Sequence, residues 1–209
     1  MAIIKEKNII MIGAGGHGKS VINVLWQAGY TVKAVIDESQ EKWGDNLLGV
    51  PIISPESDIA TTPGQEAIIA IGDNTNREKT SRKFAHLKWV TVISPFATVY
   101  PHANLGVGCV VLPGAIIGSD VIVGDHVIIS SQAILAHDCK IADFVHLAPG
   151  VTLTGNVTVG KGSFLATRCN VIPGVTVGKW AMVGAGATVM RNVPDNGKAY
   201  GPSAKIFIQ

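Results

Sequence analysis

A strict six-residue repeat governs the second half of the chain. Counted in sixes from Ile93 to Val189, all 17 positions hold Ile, Val or Leu, and the residue four places after each is Ala, Cys, Val or Ser. A register kept this long is an internal repeat. A hexad with one large and one small inward side chain cannot bury itself alone, so copies must stack as a solenoid.

The hexads are similar to those of hexapeptide-repeat proteins, in which three hexads form one triangular turn of a left-handed parallel β-helix. The resemblance supplies the handedness, because general chain chirality would favour right-handed crossovers. We expect the β-helix over residues 91–194, with a non-repeating tail over residues 195–209.

Residues 1–90 show a different pattern. The apolar runs NIIMIGAGG, TVKAVID and EAIIAIGDN alternate with the helix-compatible segments HGKSVINVLWQAG and TNREKTSRKFAHL. Strand, helix, strand is typical of a parallel sheet with crossover helices. GAGGHG satisfies the dinucleotide pattern G-x-G-x-x-G, but the domain is too short for a complete nicotinamide fold. The sequence therefore predicts an α/β, Rossmann-like half domain.

Composition excludes several classes of function. The net charge is +2, and without a dense basic block nucleic-acid binding is not expected. No apolar run is long enough to span a membrane, and no secretory signal is recognisable. Cys109, Cys139 and Cys169 occupy small inward positions, which predicts reduced core cysteines in a cytoplasmic protein rather than metal ligands. The histidines lack zinc-site spacing, so no metal is expected.

The segment LAHDC places His137 beside Asp138, which can orient an imidazole during proton transfer. The residue one coil above His137 is Gly155, which leaves room and a backbone N–H beside the ring. A base next to an amide donor suits acyl transfer, since one removes a proton and the other stabilises the oxyanion. Two surface histidines are an equal alternative for His137 and His146. His126, at a turn position, is expected at the surface.

The order of GAGGHGK, IAIGDN and hexads with HDC resembles the sugar acetyltransferases that include sialic acid O-acetyltransferases and UDP-N-acetylbacillosamine-type N-acetyltransferases. The resemblance covers nearly the whole chain. It implies that His137 is the general base, supported by Asp138, and that acetyl-CoA is the co-substrate. It implies acetyl or CoA contacts at His146, Gly155, Ala185 and Lys205. It implies a nucleotide-sugar site at Gly13, Gly15, Gly16, His17, Gly18, Asp37, Gly72 and Asn74.

Family members form trimers with the active site between subunits, and the flat faces of a short β-helix also favour closed symmetric association. We therefore expect a homotrimer.

The preferred function is N-acetylation of a UDP-linked 4-amino-4,6-dideoxy sugar. Sugar O-acetylation and a non-catalytic nucleotide-binding protein remain alternatives, and a nicotinamide oxidoreductase is the weakest. His17 could equally pack beneath the nucleotide without contacting it. Asn74 could equally belong to a plain turn. In the tail, GPSAK departs from the family pattern, which puts the contacts to adenine in doubt.

Overall fold

The computed structural model describes residues 7–201. Its N-terminal part is a six-stranded sheet in the order β3-β4-β2-β1-β5-β6, parallel except for the β3–β4 hairpin. The strands are β1 (Lys7–Ile12), β2 (Tyr30–Ile36), β3 (Asn46–Leu47), β4 (Val50–Ile53), β5 (Glu66–Ile69) and β6 (Lys88–Trp89). The helices are α1 (Gly16–Gln27), α2 (Asp58–Thr61) and α3 (Asn74–Lys83), with a 3-10 turn at Gln40–Lys42. The predicted α/β half domain is confirmed.

The second part is the predicted left-handed β-helix, built from two-residue strands that stack into three parallel faces. Face 1 contains β7 (Val92–Ile93), β10 (Val110–Val111), β13 (Ile128–Ile129), β16 (His146–Leu147), β19 (Phe164–Leu165), β22 (Met182–Val183) and β24 (Lys198–Ala199). Face 2 contains β8 (Thr98–Val99), β11 (Ile116–Ile117), β14 (Ile134–Leu135), β17 (Thr152–Leu153), β20 (Asn170–Val171) and β23 (Thr188–Val189). Face 3 contains β9 (Asn104–Leu105), β12 (Ile122–Val123), β15 (Lys140–Ile141), β18 (Thr158–Val159) and β21 (Thr176–Val177).

Stacking hexads in register gives the β-helix one continuous core. Ile117 pairs with Leu135 and Leu135 with Leu153, so each large inward side chain lies on its counterpart one coil away. These side chains are fully buried. The three cysteines are also fully buried and free, which confirms their interpretation as core fillers.

The turns between strands require an unusual backbone. The fourth residue of most hexads has positive φ, including Asp138 at 61°, Phe144 at 58° and Trp180 at 53°. Glycine and aspartate tolerate this conformation, whereas a bulky residue is strained by about 1–2 kcal/mol. The strain persists because the coils above and below determine the turn.

The last coil departs from the repeat. Val177 pairs with Val193 and Val183 with Ala199, a spacing of 16 residues instead of 18. The turn after β23 is two residues shorter, so counting in sixes misses the final strand. The β-helix consequently continues past residue 194 into the segment predicted as a tail.

Face 1 of the β-helix packs against the N-terminal domain. Val92, Val110 and Leu112 are buried in one apolar cluster with Val21 and Leu25 of α1. The two domains therefore share an apolar core and are not connected by a linker alone. Across residues 7–201, none of the helices has the length and apolar character that crossing a membrane demands.

Candidate active site

A cavity of about 620 Å³ opens at the carboxyl ends of β1, β2 and β5. This edge is where open parallel sheets bind ligands. The lining includes six residues predicted to bind the nucleotide sugar, namely Gly13, Gly15, Gly16, His17, Asp37 and Gly72. Gly18 and Asn74 do not line this cavity.

The glycines of the loop have different roles. Gly13 has φ +110°, and a Cβ there would lie 2.8 Å from Ile71 Cγ1. Gly15 and Gly16 face open space at the N-terminus of α1, where nothing blocks an approaching ligand. A Cβ at Gly18 would lie 2.7 Å from the Gly13 carbonyl oxygen, so Gly18 allows α1 to pack on the loop. Gly15 and Gly16 can admit an anion, whereas Gly13 and Gly18 shape the loop.

Asp37 ties the glycine loop to the following strand. Its Oδ2 accepts the Ala14 N–H at 2.7 Å, its Oδ1 accepts the Ser39 N–H at 2.9 Å, and Lys42 Nζ lies 3.3 Å away. Burial opposes ionisation of Asp37, but these hydrogen bonds and the Lys42 charge outweigh it and lower the pKa of the carboxyl group. Asp37 therefore contributes a negative charge to the lining of the cavity.

Three lysines line the same cavity, and the sequence reasoning missed them. Lys42 pairs with Asp37, Lys83 pairs with Glu38 at 2.6 Å, and within residues 7–201 no acidic side chain pairs with Lys79. Lys79 and Lys83 are four residues apart and share one face of α3. That spacing was the available sequence signal. The lysines give the cavity the cationic groups that a pyrophosphate requires.

Asn74 begins α3 at the junction of the two domains. Its side-chain amide donates to the carbonyl oxygens of Gly162 at 2.9 Å and Ser163 at 3.1 Å, and it is buried. The prediction of a nucleotide contact at Asn74 has no support in this geometry, because the amide is occupied by the β-helix. Helix α3 itself is capped by Asp73, whose Oδ1 accepts the Asn76 N–H.

Two histidines are half-buried near the domain junction. His146 Nδ1 lies 3.1 Å from the Gly72 carbonyl oxygen and therefore carries the proton, and its ring centroid is 6.1 Å from that of His17. Burial, together with the charge of Arg77, lowers the pKa of both histidines to about 4. Both rings are neutral at pH 7. His17 Nε2 has no hydrogen-bond partner within the described chain.

His126 is buried with only 5% of its surface exposed, so its expected surface position is wrong. The N-terminal domain covers this turn. Trp89 meets the ring edge-on at 5.1 Å, and Phe144, one coil further, stacks on it at 5.2 Å. Burial lowers the pKa of His126 to about 4.

His137 and Asp138 form an exposed pair on the turn after β14. His137 Nδ1 lies 2.8 Å from Asp138 Oδ2, and the side chains are 69% and 59% exposed. A Cβ at Gly155 would lie 2.5 Å from His137 Cε1 and 2.6 Å from Nε2. The glycine therefore leaves the space that the imidazole occupies, in the arrangement expected from the sequence.

His137 and His146 do not share a face. His137 follows a strand of face 2, whereas His146 begins a strand of face 1 and lines a second cavity of about 480 Å³ with Phe164, Trp180 and Met182.

Ala185 is exposed in the turn after β22, and Lys205 lies outside the described residues. Residues 7–201 contain no cluster of three or more His, Cys, Asp or Glu side chains suited to a metal ion.

Comparison with known proteins gives two family matches. The PglD N-terminal domain family matches residues 8–84, and the bacterial transferase hexapeptide family (six repeats) matches residues 120–155. Among curated proteins, the chain is 33% identical over 100 residues to an uncharacterised protein of Acanthamoeba polyphaga mimivirus. It is 40% identical over 52 residues to dTDP-3-amino-3,6-dideoxy-alpha-D-galactopyranose 3-N-acetyltransferase of Aneurinibacillus thermoaerophilus. These matches span 48% and 25% of this chain, but only 20% and 27% of those relatives.

Solved structures match nearly the whole chain. One is a variant of perosamine N-acetyltransferase from Caulobacter crescentus in which a histidine is replaced by asparagine, in complex with CoA and GDP-perosamine. It is 37% identical to this chain with a TM-score of 0.86, and the match covers 99% of both chains. The acetyltransferase domain of PglB from Neisseria gonorrhoeae, in complex with acetyl coenzyme A, is 32% identical with a TM-score of 0.86. That match covers 97% of this chain and 100% of the domain.

Proposed function

Because the chain belongs to the hexapeptide-repeat sugar N-acetyltransferases, we propose that it transfers the acetyl group of acetyl-CoA to the amino group of a nucleotide-linked sugar. The observation that carries this proposal is the His137–Asp138 pair beside Gly155. It supplies a proton acceptor in an uncrowded position on a β-helix whose relatives are sugar N-acetyltransferases.

His137 acts as the general base. In the tautomer that suits this role, Nδ1–H donates to Asp138 Oδ2 and leaves the Nε2 lone pair free. The sugar amine attacks the acetyl carbonyl carbon and Nε2 takes the amine proton. The C–S bond to CoA then breaks, and the imidazolium returns its proton to the sulfur, so that CoA leaves as the thiol. The Gly155 N–H serves as the donor to the developing oxyanion. Asp138 stabilises the imidazolium during proton transfer.

The acceptor is a nucleoside diphosphate-linked amino sugar held in the 620 Å³ cavity. Gly15 and Gly16 admit the pyrophosphate at the N-terminus of α1, and Lys79 supplies a cation without an acidic partner in the described chain. We propose a 4-amino-4,6-dideoxy sugar. The sequence resemblance favours UDP, and the Caulobacter crescentus structure favours GDP, since its ligand is GDP-perosamine.

The active site forms between subunits of a homotrimer. His137 is exposed on a single chain, and His146 lies on another face, so both can serve one reaction only if copies meet. Ile116 and Ile134, 37% and 38% exposed, give face 2 an apolar surface that association would bury. Free buried thiols and the use of acetyl-CoA favour the cytoplasm as the compartment.

Release of CoA thiol from acetyl-CoA tests this function, with GDP- and UDP-linked 4-amino-4,6-dideoxy sugars as parallel acceptors. We expect release with one of them, and a loss of about 100-fold or more in kcat for His137→Asn. His102→Asn is the matched control, because His102 is an exposed histidine on another turn of the β-helix. If only sugars with a free hydroxyl group and no amine support turnover, the reaction is O-acetylation and the proposed N-acetylation is wrong. Full activity of His137→Asn would refute the role of the base.

A further inference from the structure

Arg77 is the largest fully buried side chain among residues 7–201. It lies on α3, is 1% exposed, and has no carboxylate within ion-pair distance in residues 7–201. Its guanidinium instead donates to backbone carbonyls and to Asn74 Oδ1 at 2.7 Å. Burial of this cation lowers its pKa to about 10. A buried charge that forms no ion pair is costly, so its hydrogen-bond partners must explain its presence.

The partners of Arg77 belong to both domains. Nε donates to the His126 carbonyl and Nη2 to the Phe144 carbonyl, both at 2.8 Å. These two residues occupy the same turn of successive coils. Asn74 extends the pattern by donating to Gly162, at the same turn of the next coil. Helix α3 is thereby aligned along three coils of the β-helix.

The other end of the guanidinium holds the wall of the nucleotide cavity. Nη1 donates to the carbonyls of Ile71 at 3.0 Å and Gly72 at 3.2 Å, and both residues line the cavity. His146 also donates to the Gly72 carbonyl. One planar group with five donors thus joins the strand-end loop to two β-helix coils. Lysine, with a single nitrogen, cannot make the same set of contacts.

We propose that Arg77 is a positioning residue that holds the loop Ile71–Asn74 against the β-helix, and so sets the place of the sugar amine relative to the acetyl group. The inference rests on the proposed function. It separates two tasks: the glycine loop and lysines bind the nucleotide, whereas Arg77 fixes the geometry between the two substrates. A shift of about 1 Å between reacting groups lowers a rate by about 100-fold.

The test compares Arg77→Lys with Arg82→Lys on the same helix. Arg82 is exposed and pairs with Glu78, so its substitution controls for loss of a guanidinium from α3. We expect Arg77→Lys to lower kcat by about 30- to 100-fold while the KM for acetyl-CoA changes less than threefold. Backbone amides of residues 71–77 should exchange with deuterium about tenfold faster in Arg77→Lys and at the wild-type rate in Arg82→Lys.

Wild-type kcat and wild-type amide exchange in Arg77→Lys would overturn the proposal. If Arg77→Lys does not fold, Asn74→Ala removes the contact to the third coil and should accelerate exchange of the same amides; unchanged exchange there would also overturn it. If the wild-type protein releases no CoA with any acceptor, the proposed function fails. The exchange comparison between Arg77→Lys and Arg82→Lys then decides the positioning role by itself.

Discussion

Replacing Gly155 by alanine separates catalysis from stability. The new Cβ would lie 2.5 Å from His137 Cε1 and 2.6 Å from Nε2, with no backbone atom among its nearest neighbours. The imidazole would have to move by about 1 Å to restore ordinary van der Waals separation. Because His137 is exposed, its side chain can rotate away without disturbing the core.

The expected cost therefore appears in the rate. A displacement of about 1 Å at a general base lowers kcat by about 100-fold, which corresponds to about 2.7 kcal/mol of transition-state free energy. The free energy of unfolding should change by less than about 1 kcal/mol, since Gly155 does not have positive φ and alanine restricts the unfolded chain.

Two assays on the same sample give the answer: CoA thiol release with the nucleotide sugar that wild type accepts, and urea unfolding followed by circular dichroism. Gly160→Ala is the comparison, because its Cβ would lie 2.5 Å from the Lys179 backbone nitrogen and so strains the backbone at a turn away from the proposed base, His137. Undiminished kcat in Gly155→Ala would refute the claim that the imidazole must occupy this space.

Three further predictions concern stability and nucleotide binding. His17, His126 and His146 have pKa values near 4 in the folded protein and about 6.5 when unfolded, so the unfolded state binds more protons as the pH falls. The free energy of unfolding should fall between pH 6.5 and 4 by up to about 3 kcal/mol per histidine, measured by urea titration; a flat profile contradicts this. Ile129→Ala, in the β-helix core, should lower the free energy of unfolding by about 2–5 kcal/mol in the same titration. Lys79→Met should raise the KM for the nucleotide sugar about tenfold and leave the KM for acetyl-CoA unchanged; an equal rise in both would remove Lys79 from the nucleotide site.

Much of the fold was predictable because the hexad repeat is a local signal with a single packing solution. The inward positions, the buried cysteines and the place of Gly155 beside His137 all follow from counting along the chain. The glycine loop was predictable for a similar reason, since positive φ and close approach at Gly13 demand glycine. The hexad count does not extend to the last coil, where the turn between Val189 and Val193 is two residues shorter while stacking continues.

The sequence by itself determined the two domains, the β-helix and the His137–Asp138 pair, because each depends on residues at a constant spacing. Only the tertiary structure decided how the domains meet. His126, expected at the surface, is buried because the N-terminal domain covers its turn, and Asn74 faces the β-helix instead of a nucleotide. The contacts of Arg77 with Ile71, Gly72 and turns 49 and 67 residues further along the chain have no periodic signature. Such contacts arise where two surfaces from distant parts of the chain bury polar groups together, and each buried donor must then find a carbonyl across the junction.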